Sequence, residues 1–234
     1  MIPWLSARDA FPPVTRALTE PNGLLAAGGD LSASRLIEAY RHGIFPWFNE
    51  DEPVLWWSPD PRMVLFVADV RVSRSLRKVL RSDVFRVTFD EAFEEVMRGC
   101  AAPREAQDGT WITEDMLEAY TGLAAAGVAH SVEVWHGQQL VGGLYGVSIG
   151  RMFYGESMFS RVSNASKVAL VSLARQLQRW QFEIVDCQMS TAHLASLGAR
   201  DLPRAQFLEY VGRLTPLPPP PLPWRFDPDL HQTG

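Results

Sequence analysis

Two short polar sets in this 234-residue chain stand where chemistry can be done. Asp186 and Gln188 lie two apart at the end of an apolar run. In an extended strand they share one face, while Val185 and Cys187 share the other. A carboxylate beside a carboxamide can accept from an amine and orient it. The second set is Gly155-Glu156-Ser157-Met158. A period of two puts Glu156 and Met158 on one face, and Gly155 lets another backbone or a ligand come close. Both patterns are equally those of exposed strand ends near a turn. A third set, Trp47, Trp111 and Tyr120, offers rings on which a base can stack, worth about 1–3 kcal/mol per base. Ordinary core packing accounts for any one of these rings as well.

Other chemistries lose weight. The chain has no GxxxxGK[ST], no GxGxxG after a strand, no HExxH and no GxSxG. That argues against ATP hydrolysis, dinucleotide redox chemistry, and zinc or serine hydrolysis. The five histidines are scattered, and the two cysteines, Cys100 and Cys187, form no CxxC. No metal site is expected, and a reducing, cytoplasmic setting is. Residues 1–13 lack a basic then apolar leader, and no run approaches the ~20 apolar residues of a membrane span.

The elements that must position these residues follow from pattern. Residues 1–62 are turn-rich and aromatic, with one short helix over 32–41 and Gly43 just past it. The connector Trp56-Trp57-Ser58-Pro59-Asp60-Pro61-Arg62 is stiffened by two prolines and ends a small N-terminal α/β domain. A second domain over 63–214 follows, then a proline-rich tail over 215–234. Within the second domain the pattern gives a strand at 63–68, helices at 91–99 and 113–126, and a strand at 86–89. Three strands at 131–135, 140–147 and 152–159, joined by tight-turn sequences, make an antiparallel meander. A long helix over 164–180, a strand over 182–187 and a helix from 191 complete an α+β mixed sheet with a crossover. Residues 215–223 are almost all Pro and Leu, an extended arm that is either a tether or a surface strap.

The formal charge is −5, whereas nucleic-acid binders are usually basic, so any such contact must be local. Residues 71–81 supply a candidate. On a helix Val72, Leu76, Val79 and Leu80 fall on one side, and Arg71, Arg74, Arg77, Lys78 and Arg81 on the other, with no acidic residue among them. A plain solvated helix face has the same pattern.

Taken in order, a series of blocks is more specific than any of these sets. They are Gly23-Leu24-Leu25-Ala26, Gly28-Gly29-Asp30-Leu31, Gly43-Ile44-Phe45-Pro46-Trp47-Phe48, Trp56-Trp57-Ser58-Pro59-Asp60-Pro61-Arg62, Thr110-Trp111-Ile112, His130-Ser131-Val132-Glu133-Val134-Trp135, Leu140-Val141-Gly142-Gly143, Gly155-Glu156-Ser157-Met158-Phe159-Ser160, Ala165-Ser166-Lys167 and Asp186-Cys187-Gln188. Together they resemble the bacterial leucyl/phenylalanyl-tRNA–protein transferases, over about residues 21–199. The resemblance implies a small N-terminal domain before a GNAT-like (acyl-CoA N-acyltransferase-like) domain, no cofactor, and a monomer. It implies transfer of Leu or Phe, sometimes Met, from aminoacyl-tRNA to proteins beginning with Arg or Lys, which marks them for degradation by the N-end rule. By the same resemblance, Asp186 and Gln188 match the pair assigned to the acceptor amine and the peptide-bond step. Trp47 and Trp111 match aromatics near the terminal adenosine, and Tyr120 and Glu156 the active-site wall. Leu144, Gly155, Ser157 and Met158 would line the amino-acid pocket. Leu173, where some relatives carry an aromatic, and Leu144 in place of Met depart from the pattern. Arg74, Arg77, Lys78 and Arg81 would contact tRNA phosphates without reading bases.

Two other functions fit the same residues less well. An acetyl-CoA-dependent N-acetyltransferase needs a glycine-rich pyrophosphate loop, where this chain has Ser160-Arg161-Val162-Ser163-Asn164-Ala165-Ser166. A non-catalytic tRNA- or degron-binding module leaves the Asp186/Gln188 pair without a use.

Overall fold

The first sixty residues are tied together by strands too short to show a period. In a computed structural model that describes residues 2–82, 84–102 and 112–231, β1 (Trp4–Leu5), β2 (Leu24–Gly28), β3 (Phe45–Pro46) and β4 (Leu55–Trp57) form a sheet in the order β1-β2-β4-β3. Helix α1 (Ala33–Arg41) lies between β2 and β3. It ends as its sequence requires. Gly43 takes φ 70°, its N–H donates to the Tyr40 carbonyl at 3.0 Å, and the Ile44 N–H reaches back to Ala39 at 2.9 Å. A left-handed residue just past a helix closes these two bonds, and glycine adopts that conformation without a Cβ penalty.

The α+β class expected from the order of elements is the one observed. A seven-stranded mixed sheet is built from β5 (Arg62–Phe66), β6 (Arg86–Phe89), β7 (Ala129–His136), β8 (Gln139–Ile149), β9 (Met152–Ser160), β10 (Ile184–Gln188) and β11 (Arg200–Leu202). Its order is β11-β5-β10-β9-β8-β7-β6. The β7–β8–β9 meander is antiparallel, and β10 returns parallel to β9 after helix α5 (Ala165–Arg179). The remaining helices are α2 (Arg74–Leu80), α3 (Phe93–Ala101), α4 (Glu114–Ala125), α6 (Ala192–Ser196) and α7 (Arg204–Leu214). Helix α2 is shorter than the charge pattern predicted, because the Ser73 hydroxyl caps it by accepting from the Leu76 N–H at 3.1 Å. Strand β11 is too short to show a pattern; helix α7, which buries Phe207, Val211 and Leu214 at helical spacing, is the element the sequence reading left out.

Two apolar clusters flank the large sheet. One gathers Tyr40 and Trp56 from the small sheet and its helix, with Met116, Tyr120, Tyr145, Tyr154 and Phe207. The other collects Leu144, Val168, Leu173, Leu177 and Val185 with Leu76 and Leu80. Among the described residues, no helix is long and apolar enough to cross a membrane.

The C-terminal segment is a strap. Trp224 is 2% exposed and lies flat on His130, ring centroids 3.6 Å apart and planes 4° from parallel. Beyond it, the Asp227 N–H donates to Gln176 Oε1 at 2.8 Å, and Gln176 Nε2 donates to Asp227 Oδ2 at 3.0 Å. Arg179 pairs with Asp227 and Asp229. Removing a buried ring of this size leaves a cavity as well as lost transfer energy, so Trp224→Ala should cost about 3 kcal/mol. Urea unfolding monitored by circular dichroism measures it, and an effect under about 1 kcal/mol would show the strap to be dispensable.

Candidate active site

Strand β10 pairs with β9 only at Val185–Phe153 and Asp186–Tyr154. Past that point β9 continues along β8 to Ser160, while β10 stays with β5. Gly155 stands where they part. A Cβ there would sit 3.3 Å from the Asp186 carbonyl oxygen, so the two backbones approach closely enough to leave little room for a side chain. Polar side chains from both strands collect at this place.

Glu156 owes its direction to a bulge. Tyr145 pairs with Ser157 and Gly146 with Gly155, which leaves Glu156 as the extra residue in β9. The alternation expected from sequence therefore breaks. Glu156 turns toward Tyr40 and Tyr120, while Met158 pairs with Leu144 and packs in the other cluster. The two do not share a face.

Glu156 is 9% exposed and has three side-chain partners. Gln188 Nε2 donates to Oε1 at 2.7 Å, the Tyr40 hydroxyl to Oε1 at 2.8 Å, and the Tyr120 hydroxyl to Oε2 at 3.3 Å. The Tyr40 and Tyr120 hydroxyls also bond to each other; with one proton per hydroxyl, the third side of this triangle takes the proton of a neutral Glu156. Burial pushes the Glu156 carboxyl up to about 8; the Tyr40 and Tyr120 hydrogen bonds pull it down, and the nearby Asp186 charge adds to the rise. Burial, and then the Glu156 charge, raise both tyrosines well above the usual phenol range.

Asp186 is wholly buried and faces Arg62, which is buried as completely. Arg62 Nε donates to Oδ1 at 2.8 Å and Nη2 to Oδ2 at 2.6 Å, a two-pronged fit of guanidinium to carboxylate. The Gln188 N–H also donates to Asp186 Oδ1, at 2.9 Å. That bond goes with a register shift between Asp186 and Gln188 and a left-handed Gln188 at φ 62°. A non-glycine residue held there costs about 1–2 kcal/mol of backbone strain. Arg62 Nη1 reaches the Gly43 carbonyl at 3.1 Å, and its guanidinium carbon lies 4.7 Å from the centres of both Phe45 and Phe207.

The residues singled out in the sequence thus fall into groups. Asp186, Gln188, Glu156 and Tyr120 are joined by hydrogen bonds, with Gly155 at the parting of the strands and Ser157 half-buried beside it. Leu144, Met158 and Leu173 sit in the cluster on the α5 side, with Val185 and Cys187 from β10. Trp47 is 37% exposed just past β3, edge-on to Trp57 at 5.5 Å, and its carbonyl accepts from the Trp57 indole N–H at 2.7 Å. Trp111 lies outside the described residues. Arg74, Arg77 and Lys78 are exposed on α2 and, among the described residues, have no ion-pair partner; Arg81 is exposed at its end.

Sequence reasoning missed Tyr40 and Arg62. Tyr40 lies within the predicted helix over 32–41, and Arg62 at the end of the connector. The signal was present at Arg62, a charge directly before an apolar strand. Among the described residues, no group of three His, Cys, Asp or Glu stands ready to hold a metal. A cavity of about 820 Å³ opens between α4 and residues 29–33 and 48–54, lined by Asp30, Glu50, Glu52, Glu114, Asp115 and Glu118 among others. None of the hydrogen-bonded residues above lines it.

Comparison with known proteins gives one answer. Residues 64–212 match the family profile described as leucyl/phenylalanyl-tRNA protein transferase, and residues 29–60 match that family's N-terminal domain. A Thiobacillus denitrificans protein named leucyl/phenylalanyl-tRNA–protein transferase is 64% identical over 217 residues, covering 93% of this chain and 95% of its own length. One of the same name from Nitrosomonas europaea is 60% identical over 227 residues, covering 97% and 96%. Among solved structures, L-PGS from Bacillus licheniformis superposes with TM-score 0.40 at 7% identity, over 69% of this chain and 52% of that one. A GCN5-related N-acetyltransferase from Kribbella flavida gives TM-score 0.36 at 11% identity, over 70% and 58%.

The raised Glu156 carboxyl has a thermodynamic consequence. Between the ordinary carboxyl range and about 8 the folded protein holds a proton that the unfolded chain has lost. Stability contributed by this group is therefore full at low pH and is lost as pH rises through that window. Glu156→Gln should gain on the parent protein by about 1 kcal/mol per pH unit, between about pH 5 and 8. Urea midpoints across that range test it; a difference independent of pH would overturn the assignment.

Proposed function

The chain belongs to the leucyl/phenylalanyl-tRNA–protein transferase family, and we propose that it joins Leu, Phe or Met from aminoacyl-tRNA to proteins beginning with Arg or Lys. It is an aminoacyltransferase, and its substrates are an aminoacyl-tRNA and a protein. In this reading it works as a cytoplasmic monomer without a cofactor, and its products enter N-end rule degradation.

The observation that carries the reading is the orientation of Gln188. Its amide nitrogen donates to Glu156 Oε1 at 2.7 Å, and in this reading its amide oxygen receives the incoming amine. The Gln188 backbone is fixed by Asp186. An aminoacyl ester is already activated, so the step needs no ATP. The acceptor's α-amine has an ordinary pKa of about 7.7–8.0, which leaves a useful fraction neutral near physiological pH. Gln188 Oε1 accepts one of its N–H bonds and aims the lone pair at the ester carbonyl. The C–N bond forms, the bond to the ribose oxygen breaks, and the proton shed by nitrogen ends on that oxygen as a hydroxyl. Holding amine and ester in register can itself lower the barrier by several kcal/mol, on the order of 7 or more in well-oriented cases.

Leu144, Met158 and Leu173 pack in one apolar cluster with Val185 and Cys187, which in this reading lines the aminoacyl pocket. It suits an apolar aminoacyl side chain, and it discriminates weakly among such chains, about 1–3 kcal/mol per methylene. Trp47, with Trp111, takes the terminal adenosine. The net charge of −5 suits an acceptor that begins with a cation. Arg74, Arg77, Lys78 and Arg81 hold tRNA phosphates.

The experiment is transfer of radiolabelled Leu from charged tRNA to a peptide starting with Arg, beside one starting with Ala, without ATP or coenzyme A. Transfer to the Arg peptide alone is expected, and Gln188→Ala should lower it by about 100-fold. Charged tRNA bound with no transfer would leave a binding module instead. Arg77→Glu with Lys78→Glu should weaken tRNA binding for all sequences alike. It should also flatten the plot of log K against log salt by about 1 for each phosphate no longer held. An unchanged salt slope would remove α2 from the interface.

A further inference from the structure

We propose that Arg62 is a positioning residue for aminoacyl transfer, acting through Asp186 on the backbone of Gln188. This rests on the reading in which Gln188 handles the acceptor amine. The chain of contacts is continuous. Arg62 holds both Asp186 oxygens, at 2.8 and 2.6 Å, and Asp186 Oδ1 in turn receives the Gln188 N–H at 2.9 Å. Gln188 sits at φ 62°, a conformation that its own side chain does not favour. From that turn the Gln188 amide reaches Glu156 Oε1 at 2.7 Å.

The arrangement fits a positioning role better than a stabilising one. A buried ion pair adds little net stability, because desolvation offsets its Coulomb attraction. Here three donors converge on one carboxylate, and the guanidinium is immobilised between Phe45 and Phe207 with its third nitrogen on the Gly43 carbonyl. The pair keeps Asp186 occupied as an anchor, so that Gln188 and not Asp186 meets the amine. Lysine cannot replace this fork, since it has one nitrogen and no fixed plane.

The test is a double-mutant cycle on the full chain. Arg62→Lys should lower kcat for Leu transfer to the Arg peptide by about 30-fold, with charged-tRNA affinity within about twofold of the parent. In a Gln188→Ala background the same substitution should have no further effect, since two residues acting as a unit do not add. If Arg62→Lys does not fold, Phe207→Leu serves: it removes one flanking ring, leaves the ion pair in place, and should show a smaller drop, about fivefold, that also vanishes with Gln188→Ala. Losses that multiply in the double variant, or an Arg62→Lys protein of full activity, would overturn the proposal. If Gln188→Ala itself transfers normally, the underlying reading of Gln188 fails instead, and the two failures are told apart by that single variant.

Discussion

A guanidinium with no exposed surface must find every partner inside the protein, and Arg62 draws four parts of the chain to one point to do so. Asp186 comes from β10, the Gly43 carbonyl from the turn after α1, and the two rings from β3 and α7. Removing one member of such a pair strands a buried charge, at a cost of about 3–5 kcal/mol. What the pair yields in return is geometric. With β5 and β10 paired antiparallel, Arg62 at the start of one strand meets Asp186 near the end of the other.

The last turn of α1 is gripped from the same side. The Tyr154 hydroxyl donates to the Tyr40 carbonyl at 2.7 Å, the Tyr40 hydroxyl reaches Glu156, and Arg62 takes the Gly43 carbonyl. Gly43 makes this possible, since a Cβ there would fall 2.9 Å from Leu208 and 3.0 Å from Phe207. The N-terminal sheet and its helix are thus tied directly into the site carried by the larger sheet. The helix supplies the tyrosine that fixes the principal carboxylate of the site, and one apolar cluster runs through both parts.

The meander, the long helix and the strand carrying Asp186 and Gln188 were legible because each is long enough to show its period. The N-terminal sheet was not, since three of its four strands have only two or three residues and cannot display an alternation. Glu156 was found by its residue type, but its direction was misread, because a bulge inserts one residue and reverses every face beyond it. Tyr40 and Arg62 escaped for another reason. Their roles are set by partners 116 and 124 positions away, and no local pattern encodes such a distance.

The order of the large sheet has a consequence in time. Strand β5 is made early but lies between β10 and β11, whose residues come more than a hundred positions later. Until they arrive, β5 has both edges open and the apolar side chains of residues 63–65 uncovered. Closing so long a loop is slow, and an unpaired apolar strand meanwhile invites wrong pairing with other chains. A ribosome-bound chain that has not yet extruded residue 202 therefore holds the first part of its catalytic sheet as a liability. The connector with its two prolines just before β5, and the five cations of 71–81 just after its end, are placed to act as gatekeepers over that interval.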